Sequence, residues 1–437
     1  MQDIHPKVLI IGETFRHDTG GGITISNLFS TWPAEKLAVI TLTEKNDYEI
    51  CKNYYRIGID ENNKQWPFHA LQINTHSGEI NFNEKNSNSS ESIKGVTQTH
   101  LRLLTLKIFG FLSHFIGVHY KLHSISVSEK LLKWINTFKP DVIYFQPNSL
   151  SLVLFVKQLF QKTNIPIAIH IVDDYIKTKN KPGLFYYYYE RIIKSEYKNI
   201  VNISKAHFSI CNEMSREYNT RFNKEFIPLH NPIIKENWLP YSHNNNEEGG
   251  LYRIVYAGRI GIANVDAIII LVDIIDQLCN EGISIEFDIY SIDEDRKLLR
   301  SIKSKRGSHF KSFVSHIKLP EIISKYDFLY LPLSLSQKSL RYTRLSMPSK
   351  VAEYMISGRP VIVFSSPATA LYKYATTEKW ATVVDNKEKL SNGIHNLINS
   401  KELREKYGKT AQKLALDNHE IKVVTKKFAG VLRKSLI

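Results

Sequence analysis

The stretch SLRYTRLSMPSKVAEYMISGRPVIVFSS, residues 339–366, gathers cations, hydroxyls and one carboxylate around a single expected helix start. Pro348 pre-sets a first helical turn, Ser346 is the predicted N-cap, and the helix is expected to run to about Ser357 with Gly358 at its C′ position. Unpaired backbone N–H groups at such a start, those of Pro348's successors Ser349 and Lys350, suit an anion. With Lys350 in the first turn and Arg344 and Arg341 just upstream, a pyrophosphate would be held by charge-assisted hydrogen bonds. Glu353 follows about one turn later. A carboxylate beside a phosphate site is costly unless it binds hydroxyls, and a ribose diol is the natural ligand; a helix-face carboxylate in a salt bridge is the alternative.

Two further groups carry chemistry in the first half. The loop GETFRHDTGGGITISNLF places Gly20, Gly21 and Gly22 before a helix expected near Thr24, so that backbone can approach an anionic ligand closely; a plain flexible turn would look the same. The run IPIAIHIVDDYIK ends in Asp173 and Asp174 with His170 three residues earlier. Strand alternation puts His170 and Asp174 on one face and Asp173 on the other. Either aspartate is a candidate for orienting or deprotonating an acceptor hydroxyl, with His170 as a third catalytic candidate or a hydrogen-bonded core histidine.

The elements that position these groups are short apolar runs: KVLIIG, LAVITL, DVIYFQ, IPIAIHIV and HFSIC, then YRIVYAG, IEFDIYS, FLYLPLS, PVIVFSS and ATVV. They are continuous rather than alternating, which means strands covered on both faces, and helical spacing lies between them. The fold class is therefore α/β with two parallel sheets. At 437 residues the chain exceeds what one core usually supports. The polar stretch LPYSHNNNEEGG sets the expected boundary near residue 245: a first domain over 1–245 with a polar excursion at about 60–98, a second over 246–415, and a C-terminal helix over 416–437.

Composition narrows the function. The chain is 43% hydrophobic and 23% charged, as an ordinary folded enzyme is, and its net charge of +15 calls for an anionic partner. The excess is uneven: residues 101–200, 301–350 and 401–437 carry +8, +8 and +6, and the remainder is negative. The middle block runs into the Lys350 motif. The first contains LRLLTLKIFGFLSHFIGV, with Leu101, Leu104, Ile108, Phe111, Leu112 and Phe115 on one helical face, and the aromatic run Tyr186–Tyr189 among lysines. That combination reads either as a surface lying on an anionic membrane or as a core helix with solvated neighbours. Nucleic acid is not expected, because no zinc finger, RNP-like stretch or basic-region helix accompanies the charge. No cluster has metal-ligand spacing, so neither a metal nor another cofactor is expected. Cys51, Cys211 and Cys279 are odd in number and far apart, which fits a reducing, cytoplasmic setting, peripheral at the inner membrane face if the membrane reading holds. The most apolar stretch, IANVDAIIILVDIIDQLC, is broken by Asp266, Asp273 and Asp276 and reads as an amphipathic helix.

In order, VYAGRI with Gly258 and Arg259, IEFDIYS, YDFLYLPLS and the Glu353 helix resemble the C-terminal domain of retaining, family 4-like glycosyltransferases of the GT-B fold, group 1. The resemblance implies two Rossmann-like domains facing across a cleft, and transfer of a sugar from a UDP- or GDP-linked donor to a glycan or lipid-linked glycan with retention, in surface polysaccharide synthesis. It implies that Arg259, with Lys350 or Arg344, stabilises the diphosphate leaving group. Glu353 would bind ribose, the loop near His316 and Ile317 would face the base, and Gly21 and Gly22 would face donor phosphates and acceptor. A His, often followed by Asp, ends the matching first-domain strand, and His170 and Asp173 both remain eligible. The sequence departs from the pattern at Leu345, where the family has an acidic residue, at Asn264, where it has Lys, and at Ser291, where it often has Gly. These departures also admit a non-catalytic nucleotide-sugar-binding partner of another transferase, or a sugar-nucleotide epimerase.

Overall fold

Each of the ten apolar runs forms a strand in the computed structural model, which describes residues 5–16, 19–43, 46–62, 75–80, 108–113, 115–116, 124–175, 184–242 and 250–436. The first unit comprises residues 1–209, 215–227 and 427–437, and the second 210–214 and 228–426. The chain thus passes between units at Ile227–Pro228, not near 245. The polar stretch there lies inside the second unit, because the preceding segment is already bonded to that unit: Asn231 Nδ2 donates to the Met347 carbonyl (3.0 Å), and Ile233 pairs with Glu420. The last helix, Ile421–Leu436, starts later than the expected 416 and belongs to the first unit from Lys427 onward.

The first unit is built on an eight-stranded sheet of β1 (Val8–Ile11), β2 (Leu37–Thr41), β3 (Asn53–Arg56), β4 (Gly78–Glu79), β5 (Val142–Phe145), β6 (Ile167–Ile171), β7 (Ala206–Ser209) and β8 (Ile227–Pro228), in the order β4-β3-β2-β1-β5-β6-β7-β8. The pairs from β3 to β7 are parallel, and β4 runs antiparallel to β3. Residues of β1, β2, β5, β6 and β7 are buried, as continuous apolar runs require. Phe428 of the last helix packs its ring against Phe29, Trp32, Tyr144 and Phe208 at centroid distances of 5.4, 5.6, 5.6 and 5.2 Å. Buried aromatic pairs at these distances add to the stabilisation that comes from area alone.

Most of the polar excursion at about 60–98, and Leu101 and Leu104, lie outside the described residues. Glu61 stands at its start. This buried carboxylate accepts from Tyr55 Oη (2.8 Å), Ser128 Oγ (2.5 Å) and the Gly58 N–H (3.0 Å), so three neutral donors replace its lost hydration. Residues 108–113 and 115–116 are helical, and Ile108, Phe111, Leu112 and Phe115 are exposed rather than covered, against the core-helix alternative.

The second unit holds six parallel strands, β9 (Tyr252–Ala257), β10 (Ile285–Tyr290), β11 (Ser308–Lys311), β12 (Phe328–Pro332), β13 (Val361–Phe364) and β14 (Thr382–Val384), ordered β11-β10-β9-β12-β13-β14. This is the doubly wound order of dinucleotide folds, which reverses direction between β9 and β12. The stretch with three interrupting aspartates forms the helix Val265–Asn280, whose Ile268, Leu271, Val272 and Ile275 join Phe287, Phe328 and Tyr330 in the core. Among the described residues no helix is long and apolar enough to cross a membrane.

Candidate functional site

In doubly wound sheets the strand order reverses where ligands are held, outside the carboxyl ends of the strands flanking the reversal. In the second unit those ends carry the loop Gly258–Asn264 after β9 and the segment leading to the helix Lys350–Ile356 after β12. The two meet at Lys350. Its Cε and Nζ lie 1.9 and 2.2 Å from where a Cβ on Gly258 would stand, and Gly258 has φ +152°, so glycine is required both for the backbone and for the lysine's passage. The ammonium is 5.8 Å from the centre of the Tyr256 ring. Desolvation pushes the Lys350 pKa down, partly offset by the charge of Glu353. An anionic ligand would restore what burial removes.

Glu353 is 6% exposed and accepts from His316 Nε2 at 3.0 Å. The sequence reading of Glu353 as a paired helix carboxylate therefore holds in part, and its partner is the base-side histidine itself. Burial pulls the His316 pKa down, but the hydrogen bond and charge of Glu353 outweigh it, against Lys350, and the net direction is up. His316 opens a short turn after β11 and meets the buried Trp238 edge-on, with centroids 6.5 Å apart. Ile317, beside it, is among the most exposed apolar residues of the chain.

Arg259 is 75% exposed and donates from Nε to Asp293 Oδ2 (2.7 Å), which also accepts the Ile260 N–H (2.9 Å). Asn264, where the family pattern has Lys, braces this loop instead: Nδ2 donates to Tyr256 Oη (2.7 Å) and to the Arg259 carbonyl (2.9 Å), and Oδ1 accepts the Gly261 N–H (2.9 Å). Tyr354 fixes β9 from the helix side by accepting the Ala257 N–H at 3.0 Å. Leu345 is buried. Asp293, Tyr256, Tyr354 and Trp238 were not found by sequence reasoning; no motif marks them, since each acts through a partner distant in the chain.

The helix itself begins at Lys350, not Pro348, and is preceded by Ser349 without a side-chain cap. Ser346 is not the N-cap: its hydroxyl bonds back to the Tyr342 carbonyl (2.8 Å) and closes the helix before it, Gln337–Thr343. Pro348 still starts the turn, since its carbonyl accepts the Val351 N–H at 3.0 Å. Arg344 ends the earlier helix and is half-buried, and its carbonyl accepts the Ala370 N–H at 2.8 Å.

The first unit's candidates separate. His170 is buried: its Nδ1 meets Tyr144 Oη at 2.6 Å, rings of Tyr144 and Phe208 surround it, and burial lowers its pKa to about 3. This places it in the core, contrary to a catalytic role. Asp174 is also buried, bonded to Arg221 through both oxygens (2.8 and 3.1 Å) and to Tyr218 Oη (2.9 Å), so it is committed to the helix Asn212–Phe222. Asp173 is exposed at the carboxyl end of β6. Gly20, Gly21 and Gly22 form the first turn of the helix Gly20–Phe29 instead of preceding it, capped by Thr19 Oγ1, which accepts the Gly22 N–H at 3.1 Å. A Cβ on Gly21 would meet Glu13 Oε2 at 2.5 Å, so a carboxylate of the chain already stands against the glycines. Among the described residues no three metal-ligating side chains lie together.

Comparison with known proteins gives the context. A family model described as Glycosyl transferases group 1 matches residues 252–400, the greater part of the second unit. The fold is that of GT-B glycosyltransferases. It matches HepE of Anabaena, solved with UDP and glucose (TM-score 0.55, 12% identity, 98% of this chain and 100% of that chain), and a glycosyltransferase from Rickettsia africae (0.59, 12%, 98% and 98%). It also matches sucrose-phosphate synthase from Thermosynechococcus elongatus (0.58, 12%, 98% and 98%). No curated protein matches the chain in sequence.

Proposed function

We propose, from the premise that residues 252–400 carry a group 1 glycosyltransferase domain, that the protein moves a sugar from a UDP- or GDP-linked donor to a hydroxyl of a glycan or lipid-linked glycan, with retention. The observation that carries this reading is Lys350, held across Gly258 at the point where the sheet order reverses, with Glu353 one turn on. A desolvated cation at that position gains most from charge that builds on the leaving diphosphate as the glycosidic bond breaks. Arg259, on the adjoining loop, meets the same charge, and Glu353 accepts from ribose. Asp173, the exposed carboxylate of its pair, is the group for the acceptor hydroxyl. Glucose bound with UDP in HepE supports the donor class.

The test is nucleoside diphosphate release from a panel of UDP- and GDP-sugars, with and without candidate lipid-linked acceptors. Arg259→Ala and Glu353→Ala are expected to lower kcat/KM by about tenfold or more. Turnover equal to wild type in either variant overturns the assignment. A non-catalytic donor-binding role is favoured by one observation, the loss of Lys at Asn264 to loop bracing. Tight nucleotide-sugar binding with neither transfer nor hydrolysis would establish it.

We place the acceptor at an anionic membrane, reached from the cytoplasmic face. Phe111 (69% exposed) and Phe115 stack at 6.2 Å, the Leu184 N–H donates to the Phe115 carbonyl (2.9 Å), and Leu184, Phe185, Tyr187 (83% exposed) and Tyr188 continue the apolar surface. Amphipathic rings with neighbouring lysines suit the headgroup level. Sedimentation with vesicles containing acidic phospholipid at low salt is expected to retain the protein, and Phe111→Ser with Tyr187→Ser to release it. Absence of retention overturns this part.

A further inference from the structure

The carboxylate of Glu353 has two oxygens with different surroundings. Oε1 accepts from His316 Nε2 at 3.0 Å; among the described residues Oε2 has no hydrogen-bond partner. The histidine is itself fixed, by its place at the head of the turn His316–Lys318 and by the edge of Trp238. A lone carboxylate rotates about its last bond and presents either oxygen. Here one oxygen is tied, so the carboxylate plane, and with it the direction of Oε2, is set by a residue 37 positions away in the chain. Helix position alone does not do this, because Glu353 would otherwise be free to turn toward Lys350, one turn earlier on the same face.

We infer that His316 is a positioning residue that aims Glu353 Oε2 at the ribose of the donor, and so sets the preference of the site for ribonucleotides over 2′-deoxyribonucleotides. The inference rests on the reading of this site as the nucleotide-sugar site. A hydrogen bond to a charged acceptor discriminates strongly only if the acceptor is held in place, since a mobile one re-forms its bond with water when the ligand hydroxyl is missing. The selectivity therefore resides in the pair rather than in Glu353.

The experiment measures binding of UDP, GDP and their 2′-deoxy counterparts to the full-length protein by calorimetry, for wild type, His316→Ala and His316→Gln. For whichever base binds better, wild type is expected to prefer the ribonucleotide by about 10- to 100-fold. In His316→Ala the preference should fall to about threefold or less, mainly through weaker ribonucleotide binding, whereas His316→Gln, whose amide can donate to the same oxygen, should retain most of it. An unchanged preference in His316→Ala overturns the inference. So does an equal loss of affinity for both sugars, which is what a merely structural role would produce. Should the alanine variant fail to fold, NMR titration of the His316 ring in wild type and Glu353→Gln replaces it: the wild-type pKa is expected to be raised and to drop on substitution, and no change overturns the pairing. Wild type that binds none of the four nucleotides overturns the reading of the site itself, an outcome distinct from nucleotide binding without His316-dependent selectivity.

Discussion

The two sheets share one doubly wound order around their central strands, yet their carboxyl ends are furnished in opposite ways. In the first unit the polar groups are mostly turned to one another: Asp174 to Arg221 and Tyr218, His170 to Tyr144, which also receives Gln146. In the second, Lys350 is desolvated with Glu353 to offset it, Arg259 is largely exposed although paired with Asp293, and among the described residues one oxygen of Glu353 has no hydrogen-bond partner. The difference teaches that strand-end position nominates a residue for function but does not assign one. Charges already neutralised within the fold serve stability, and those left in partial debt to solvent are the ones a ligand can complete.

The contrast breaks most severely at Asp174. Removing one partner of a buried, bidentate ion pair leaves the other charge uncompensated, so Asp174→Ala and Arg221→Ala are each expected to cost about 3–5 kcal/mol, read from the urea midpoint of the first unit. Asp173→Ala, one residue away but exposed, should change stability by no more than about 0.5 kcal/mol while lowering transfer to the acceptor. If Asp174→Ala proves stable and inactive, the assignment of the two aspartates is reversed.

Acid sharpens the same comparison. Burial lowers the pKa of His170 to about 3 and also lowers that of His207, both in the first unit. In the second, burial lowers His419 to about 4, but His316 is raised. A histidine held neutral contributes stability that is present above its unfolded value near 6.5 and is lost as pH falls toward its folded value. A raised histidine does the opposite: its contribution is complete below the unfolded value and fades as pH rises through the folded one. The first unit should therefore weaken earlier on acidification, each neutral histidine contributing up to about 1.4 kcal/mol per pH unit inside its window. Hydrogen exchange between pH 7 and 4 reads the units separately. His170→Gln should flatten the slope of the first unit; an unaltered slope would mean that His170 is protonated in the fold.

What was legible in the sequence follows the same division. Continuous apolar runs disclosed ten strands because burial on both faces leaves a one-dimensional record. The strands β3, with sequence NYYR, and β11, with SHFK, mix polar residues with aromatics near or at a sheet edge, and left no such run. Lys350 and Glu353 were legible because one helix turn relates them. The His316–Glu353 bond, the Arg259–Asp293 pair and the capture of the Ser346 hydroxyl by the Tyr342 carbonyl were not, since each depends on where a loop lands after folding. The domain crossing was misread for a related reason: polar composition marks a loop, whereas a border is fixed by which side its neighbours bond to. Alternation did not decide the two aspartates: β6 ends at Ile171 with all five of its residues buried, and Asp173 and Asp174 follow it in the loop, one exposed and one buried.

The smallest expected effect tests whether an exposed pair belongs to the stability side or the ligand side of this contrast. Asp293 makes two bonds from one oxygen, to the Arg259 guanidinium and to the Ile260 N–H. Because Arg259 is exposed, the ion pair is worth no more than about 1 kcal/mol, and Asp293→Asn keeps an oxygen for the backbone N–H, so the midpoint of unfolding should barely move. The donor diphosphate and Asp293 make opposing claims on the same guanidinium. Freed of the carboxylate, Arg259 should hold the diphosphate more tightly, lowering the donor KM by about two- to fivefold, an effect that shrinks as salt screens the exposed charges. A raised KM would instead mean that Asp293 orients Arg259 toward the phosphates, since losing orientation costs a ligand more than losing a competitor gives it. The direction of that one change therefore decides whether the loop after β9 is held ready for its ligand or held closed against it.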